Sequence, residues 1–205
     1  FYEDLVNRCV AAAEHGGMAA LIVLNKLDLP QAPAALRALE LYRGLGYRLV
    51  ALSAKRDLGP LLPHLKGETS VLVGQSGMGK STILNAIAPH AQAKTAEVSE
   101  ALATGRHTTS QSTLYPLPES QGGGWVVDSP GLKVFGLGHV APETIADAFV
   151  EIRPLLGCCR FRDCRHHREP GCAVWQAVEA GKVAPFRVAL LQRLIGESQA
   201  VRTPG

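Results

Sequence analysis

The chain has 205 residues, 46% of them hydrophobic and 19% charged, with a formal net charge of +3. That length buries one good core with a small second module, and the composition excludes a disordered tail. No apolar run reaches a membrane span and no signal-peptide pattern opens the chain, while the mild basic excess permits a nucleic-acid partner without requiring one. The sequence starts at Phe1 and reads as part of a longer protein.

In chain order, residues 2–14 predict an amphipathic helix with Leu5, Val6, Cys9 and Val10 on one face. An aliphatic run at 19–24 predicts a strand that stops at Asn25-Lys26-Leu27-Asp28. Residues 33–44 read as a helix closed by Gly44, and 47–52 as a strand ending in Ser53-Ala54-Lys55. A short helix over 58–66, a strand over 69–73 running into a glycine-rich loop, and a helix over 80–88 follow. This alternation predicts an α/β fold, a parallel sheet covered on both faces. Residues 94–111 are polar and aperiodic, a long loop. Two strands at 112–117 and 124–127 flank the turn Gly122-Gly123-Gly124. Beyond Pro142 a helical stretch leads to a Cys/His segment, and 173–181 and 186–195 predict two more helices. The boundary falls between about 138 and 157, dividing the chain into domains 1–145 and 146–205.

Gly74-Gln75-Ser76-Gly77-Met78-Gly79-Lys80-Ser81 satisfies the phosphate-loop pattern between a strand and a helix, with Thr82 following. Its glycines let successive N–H groups wrap phosphate oxygens, and the helix N-terminus adds positive potential. Lys80 would reach the β- and γ-phosphates and the Ser81 hydroxyl would ligate Mg²⁺. This motif does not choose between ATP and GTP.

The choice comes from Asn25, Lys26, Leu27 and Asp28 at a strand end. The Asp28 carboxylate can accept the paired N–H donors of guanine, a pair that adenine lacks. Asn25 can bond the other edge of the base, the Lys26 stem can cover its face, and Ser53, Ala54 and Lys55 can present N–H groups to the guanine O6. Asp128-Ser129-Pro130-Gly131 after a strand suits an aspartate holding Mg²⁺ through water and a glycine N–H meeting the γ-phosphate. Leu132 stands where many GTPases carry a water-orienting glutamine, so another group must do that work. His107 is the nearest candidate, and Thr108 or Thr109 could complete the Mg²⁺ shell.

Cys159, Cys164, His166 and Cys172 supply three thiolates and one imidazole, a closed tetrahedral set for one structural zinc. Cys158 and His167 compete by proximity. Arg160, Arg162, Arg165 and Arg168 interleave with these residues and form either a solvated face or an RNA-phosphate surface.

The order NKLD, SAK, GQSGMGKST, GRHTT, DSPG and then this cysteine segment with Glu169-Pro170-Gly171-Cys172 closely resembles the ribosome small subunit-dependent GTPase A family (RsgA, also called YjeQ). The resemblance runs from about residue 5 to 195. It implies a circularly permuted P-loop GTPase fold, with motifs in the order G4-G5-G1-G2-G3, followed by a small helical zinc-binding domain. It further implies a cytoplasmic bacterial enzyme; the chain is also expected to be a monomer with no membrane contact. Such an enzyme cycles GTP and GDP, acts late in 30S subunit assembly, binds 16S rRNA and is stimulated by the small subunit. Cys159, Cys164, His166 and Cys172 correspond to the family's zinc ligands, and His107 to its proposed catalytic histidine. The family also carries an N-terminal OB-fold domain and a first GTPase strand ahead of the opening helix, neither of which lies within these residues. Two other functions fit the motifs: a permuted GTPase with a non-ribosomal target, and a zinc-stapled RNA-binding module in which the nucleotide is structural.

Overall fold

The structure is a computed structural model and describes residues 3–89, 112–128 and 137–202. The chain packs as two units. One comprises Leu21–Arg43 and Arg48–Lys133 and carries the loop motifs; the other comprises Phe1–Ala20, Gly44–Tyr47 and Val134–Gly205 and carries the cysteines.

In the loop-bearing unit, β1 (Leu21–Leu24) pairs in parallel with β2 (Arg48–Ala51). A second sheet holds β3 (Thr69–Leu72) parallel to β5 (Trp125–Asp128), with β4 (Thr113–Pro116) antiparallel on the far side of β5. Among the described residues the strands thus form two sheets instead of the single parallel sheet expected. The antiparallel member follows from the short connection over 117–124, which is too brief for the crossover that parallel neighbours need. Helix α2 spans Ala32–Gly44 and α3 spans Lys80–Ile87. Ile83, Leu84 and Ile87 of α3 bury against Val126 of β5, Tyr115 of β4 and Leu65, an apolar stripe at helical spacing. The stretch 58–66 forms only a 3₁₀ turn, Leu62–His64, because Pro63 has no N–H to continue a helix ladder. Among the described residues, each motif in this unit follows or closes a strand at its carboxyl end: Asn25 after β1, Ser53 after β2, Gly74 after β3 and Asp128 on β5. Ligands of open α/β sheets bind at those ends.

In the cysteine-bearing unit, α1 (Glu3–His15), α4 (Ala173–Glu179) and α5 (Pro185–Arg202) surround a core that includes Phe149, Ile152, Val174, Leu191 and Leu194. Helix α1 buries Asn7, Val10 and Ala11, a face rotated from the one expected. The reason is electrostatic. Arg187 is fully buried and needs partners for all its donors. It gives Nη1 to Asn7 Oδ1 at 2.7 Å and Nε to Glu151 Oε1 at 2.5 Å, and its guanidinium lies 4.5 Å from the Phe149 ring centre. Nearer the surface, Arg8 makes two 2.7 Å bonds to the Glu197 carboxylate. These ties group α1 with the C-terminal residues. Pro142–Ala148 is one continuous 3₁₀ segment, and α5 runs well past residue 195.

Candidate functional site

The phosphate loop begins where β3 ends and delivers the chain into α3. Gly77 and Gly79 have φ of 80° and 94°, in the left-handed region open mainly to glycine. Gly79 also lies against the Asn25 side chain: a Cβ there would collide with the Asn25 amide nitrogen.

Asn25 is the tie that joins three loops. Its Nδ2 donates to the Met78 carbonyl at 3.1 Å, and its Oδ1 accepts from the N–H groups of Ala54 at 2.9 Å and Lys26 at 2.7 Å. Lys26, itself at φ 65°, sends Nζ to the Gly77 carbonyl at 2.6 Å. The base-reading loop, the SAK loop and the phosphate loop are thereby fixed to one another by side chains of the first. Residue pattern pointed to Asn25 as a base contact; it did not reveal this bridging, because nothing in a tetrapeptide says which loop will lie opposite it.

Asp28 accepts the Ser53 hydroxyl hydrogen bond, which holds its carboxyl below the ordinary carboxylate range. It is therefore ionised at neutral pH, the state that pairs with two N–H donors. A pocket of about 290 Å³ opens beside it, walled by Leu27, Leu52, Ser53, Arg56 and Pro60. A larger hollow of about 520 Å³ lies in the other unit, around Glu14 and Arg153, and contains none of the motif residues. Lys80 donates Nζ to the Gly74 and Gln75 carbonyls at 2.6 and 2.9 Å, holding its ammonium inside the loop. Ser81 is exposed at the start of α3, with Thr82 beside it. Asp128 closes β5 in register with Leu72, so it lies at the sheet end from which the phosphate loop departs. His107, Thr108, Thr109, Gly131 and Leu132 lie outside the described residues.

The second site lies in the cysteine-bearing unit. The ligand atoms of Cys159, Cys164, His166 and Cys172 all fall within 4.8 Å of one another. His166 Nδ1 is 3.4 Å from the Cys172 sulfur and 3.7 Å from those of Cys159 and Cys164, and the sulfurs of Cys159 and Cys172 are 3.9 Å apart. A tetrahedral ion with metal–sulfur bonds of about 2.3 Å sets its sulfurs about 3.8 Å apart, so the edges fit. Of the competing residues, Cys158 is exposed with its sulfur directed at the Pro154 carbonyl, and His167 is exposed. Burial pushes the Cys164 thiol up to about 12 and lowers His166. Without a cation the Cys164 thiol stays protonated, while the neutral imidazole is ready to ligate. Gly171, at φ 76°, admits the Arg160 side chain where a Cβ would lie 2.9 Å from the Arg160 Cβ. Two supporting features had no signal in the residue pattern: Glu169, whose carboxylate reaches the Cys164 sulfur at 3.5 Å and the Arg165 N–H at 3.0 Å, and the donors to the His166 carbonyl described below.

A family profile described as RsgA GTPase matches residues 1–138. A small ribosomal subunit biogenesis GTPase RsgA from Nitrosospira multiformis is 47% identical over 205 residues, covering 100% of this chain and 64% of that protein. One from Paraburkholderia phymatum is 48% identical over 208 residues, covering 98% and 65%. Among solved structures, YloQ, described as a circularly permuted GTPase, superposes with a TM-score of 0.74 at 30% identity, covering 100% of this chain and 65% of that one. YjeQ from Thermotoga maritima gives 0.75 at 31%, covering 97% and 66%. The chain thus spans less than two thirds of the length of these curated relatives. The fold is that of a circularly permuted GTPase with a Cys₃His group able to hold a metal ion in its C-terminal region, and the chain belongs to the RsgA GTPase family.

Proposed function

We propose that this chain binds and hydrolyses GTP as part of a protein that matures the small (30S) ribosomal subunit. The observation that carries the reading is the Asn25 tie, which gathers a guanine-reading carboxylate, the SAK loop and a phosphate loop into one site. The relatives' names supply the ribosomal partner.

In this reading Asp28 takes the guanine N1–H and exocyclic amine, and Ala54 and Lys55 line the O6 edge. The N–H groups from Gln75 to Thr82 wrap the phosphates. Lys80 exchanges the Gly74 and Gln75 carbonyls for β- and γ-phosphate oxygens, a swap of neutral acceptors for charged ones that favours bound nucleotide. The Ser81 hydroxyl would ligate Mg²⁺ and Asp128 would hold it through water; the ion offsets charge on the β- and γ-oxygens. His107 is assigned to polarise the attacking water, Thr108 or Thr109 to complete the Mg²⁺ shell, and the Gly131 N–H to meet the γ-phosphate. Zinc is the metal assigned to Cys159, Cys164, His166 and Cys172, since a closed Cys₃His tetrahedron suits a structural site. The exposed Arg160, Arg162, Arg165 and Arg168 form the surface assigned to 16S rRNA phosphates. Residues 146–205 would serve as the zinc-binding domain of a cytoplasmic monomer. No helix among the described residues is long and apolar enough to cross a membrane.

The test is multiple-turnover GTP hydrolysis by a protein spanning the relatives' full length, with and without purified 30S subunits. Turnover rises with 30S and vanishes in Lys80→Ala. No response to 30S would overturn the ribosomal assignment, and unchanged turnover in Lys80→Ala would overturn the catalytic one.

A further inference from the structure

The metal ligand His166 sits in a conformation that its own backbone disfavours. Its φ is 60° and that of Arg168 is 67°, two left-handed non-glycine residues within one short turn. Each costs about 1 kcal/mol or more and persists only where surrounding contacts fix it. The fixing contacts converge on one atom. The His166 carbonyl oxygen accepts Trp175 Nε1–H at 2.7 Å and Gln192 Nε2–H at 2.5 Å. Trp175 belongs to α4 and Gln192 to α5, so two helices separate in sequence hold the same peptide group. The Arg168 guanidinium covers the Trp175 ring at 4.3 Å.

A carbonyl oxygen has two lone pairs, and here both are taken. With the peptide plane fixed, the His166 Cα is placed, which limits where Nδ1 can meet the three sulfurs. Both helices are anchored in the core of this unit, Val174 and Ala177 of α4 and Val188, Leu191 and Leu194 of α5 being buried there together with the ligand Cys172. The helices therefore act as a rigid frame, and the loop is registered on it at one oxygen.

We propose that Trp175 and Gln192 are positioning residues for the metal centre, clamping the His166 carbonyl so that the imidazole is preset for a tetrahedral ion. Both donate to the His166 carbonyl, so they act through the backbone of His166. This rests on the metal-holding role of the four ligands, and the test separates the two. Conserving these supports should matter to affinity about as much as outer-shell hydrogen bonds to ligands elsewhere, 10- to 100-fold. Because both donors end on one oxygen, their effects should be coupled, with the second loss larger than the first.

The experiment uses the full chain and Zn²⁺ competed against a chelator, with Co²⁺ substitution to read the coordination geometry from its visible absorption. Gln192→Met removes a donor at nearly constant length, and Trp175→Phe removes a donor while keeping an aromatic ring under Arg168. Each is expected to weaken Zn²⁺ binding about 10-fold or more and to shift the Co²⁺ bands, with the metal-free protein unfolding at the wild-type midpoint. Zn²⁺ affinity within about 3-fold of wild type, with unchanged Co²⁺ bands, would overturn the proposal. So would equal destabilisation of the metal-free and metal-loaded proteins, which marks ordinary packing. Should Trp175→Phe not fold, Gln192→Met, at a half-buried site, decides alone. Wild-type chain that binds neither ion would instead remove the metal site itself.

Discussion

The two sites are preorganised by different means. The motif loops are held by their own side chains: Asn25, Lys26 and Lys80 each bond a carbonyl of the phosphate loop. The cysteine segment has few buried apolar residues of its own and brings its four ligands together around a carbonyl clamped from outside. One site is a hydrogen-bonded scaffold awaiting a ligand; the other is a loop registered on two helices and stabilised further by the ion it can hold. The contrast teaches that the two units should respond independently to ion removal and to loop substitutions.

The largest effect expected is at the metal ligands. Cys172→Ser should reduce bound zinc from about one ion per chain to near none and unfold the cysteine loop, since binding energy of a structural site is folding energy. GDP binding by the other unit should persist; metal analysis beside a fluorescent-GDP titration checks both. Next is the buried pair: Arg187→Met leaves Glu151 and Asn7 without their partner and should cost about 3–5 kcal/mol, read as a lower denaturation midpoint of the cysteine-bearing unit. Asn25→Ala should weaken GTP and GDP alike by about 10- to 100-fold, because it removes hydrogen bonds worth about 1–3 kcal/mol that position three loops. If only guanine specificity fell, with phosphate affinity unchanged, the tie would not be its main role. The smallest effect is in acid. Glu197 is held below its ordinary 4.5 by the hydrogen bonds from Arg8. A depressed carboxylate contributes stability that is present above 4.5 and is lost as pH falls through its folded value. The pair is partly exposed, so the contribution is below about 1 kcal/mol; Glu197→Gln should flatten the fall in thermal midpoint below pH 4.5, and an unchanged slope would show the pair idle.

Much of this molecule was legible from residue order. Glycine spacing, strand ends and ligand types are local signals, so the phosphate loop, the strands that precede or carry the described motifs and the Cys₃His set could all be read from sequence. What escaped was non-local. The buried face of α1 turns on Arg187, some 180 residues away, and no periodicity within α1 announces that an asparagine will be its most useful inward residue. The turn at Leu62–His64 could have been read from Pro63. The clamp on His166 requires knowing that two helices pack against one loop, which only the assembled core decides.

The most direct test of a guanine-nucleotide site built from these three loops is equilibrium binding of GTP, ATP and xanthosine triphosphate to the wild-type chain and to Asp28→Asn. Wild type should bind GTP and discriminate strongly against ATP. The Asp28→Asn chain should lose GTP affinity and favour xanthosine triphosphate, whose 2-oxo group accepts from the new amide. Equal affinity of wild type for GTP and ATP, or unchanged GTP affinity in Asp28→Asn, would contradict the guanine site.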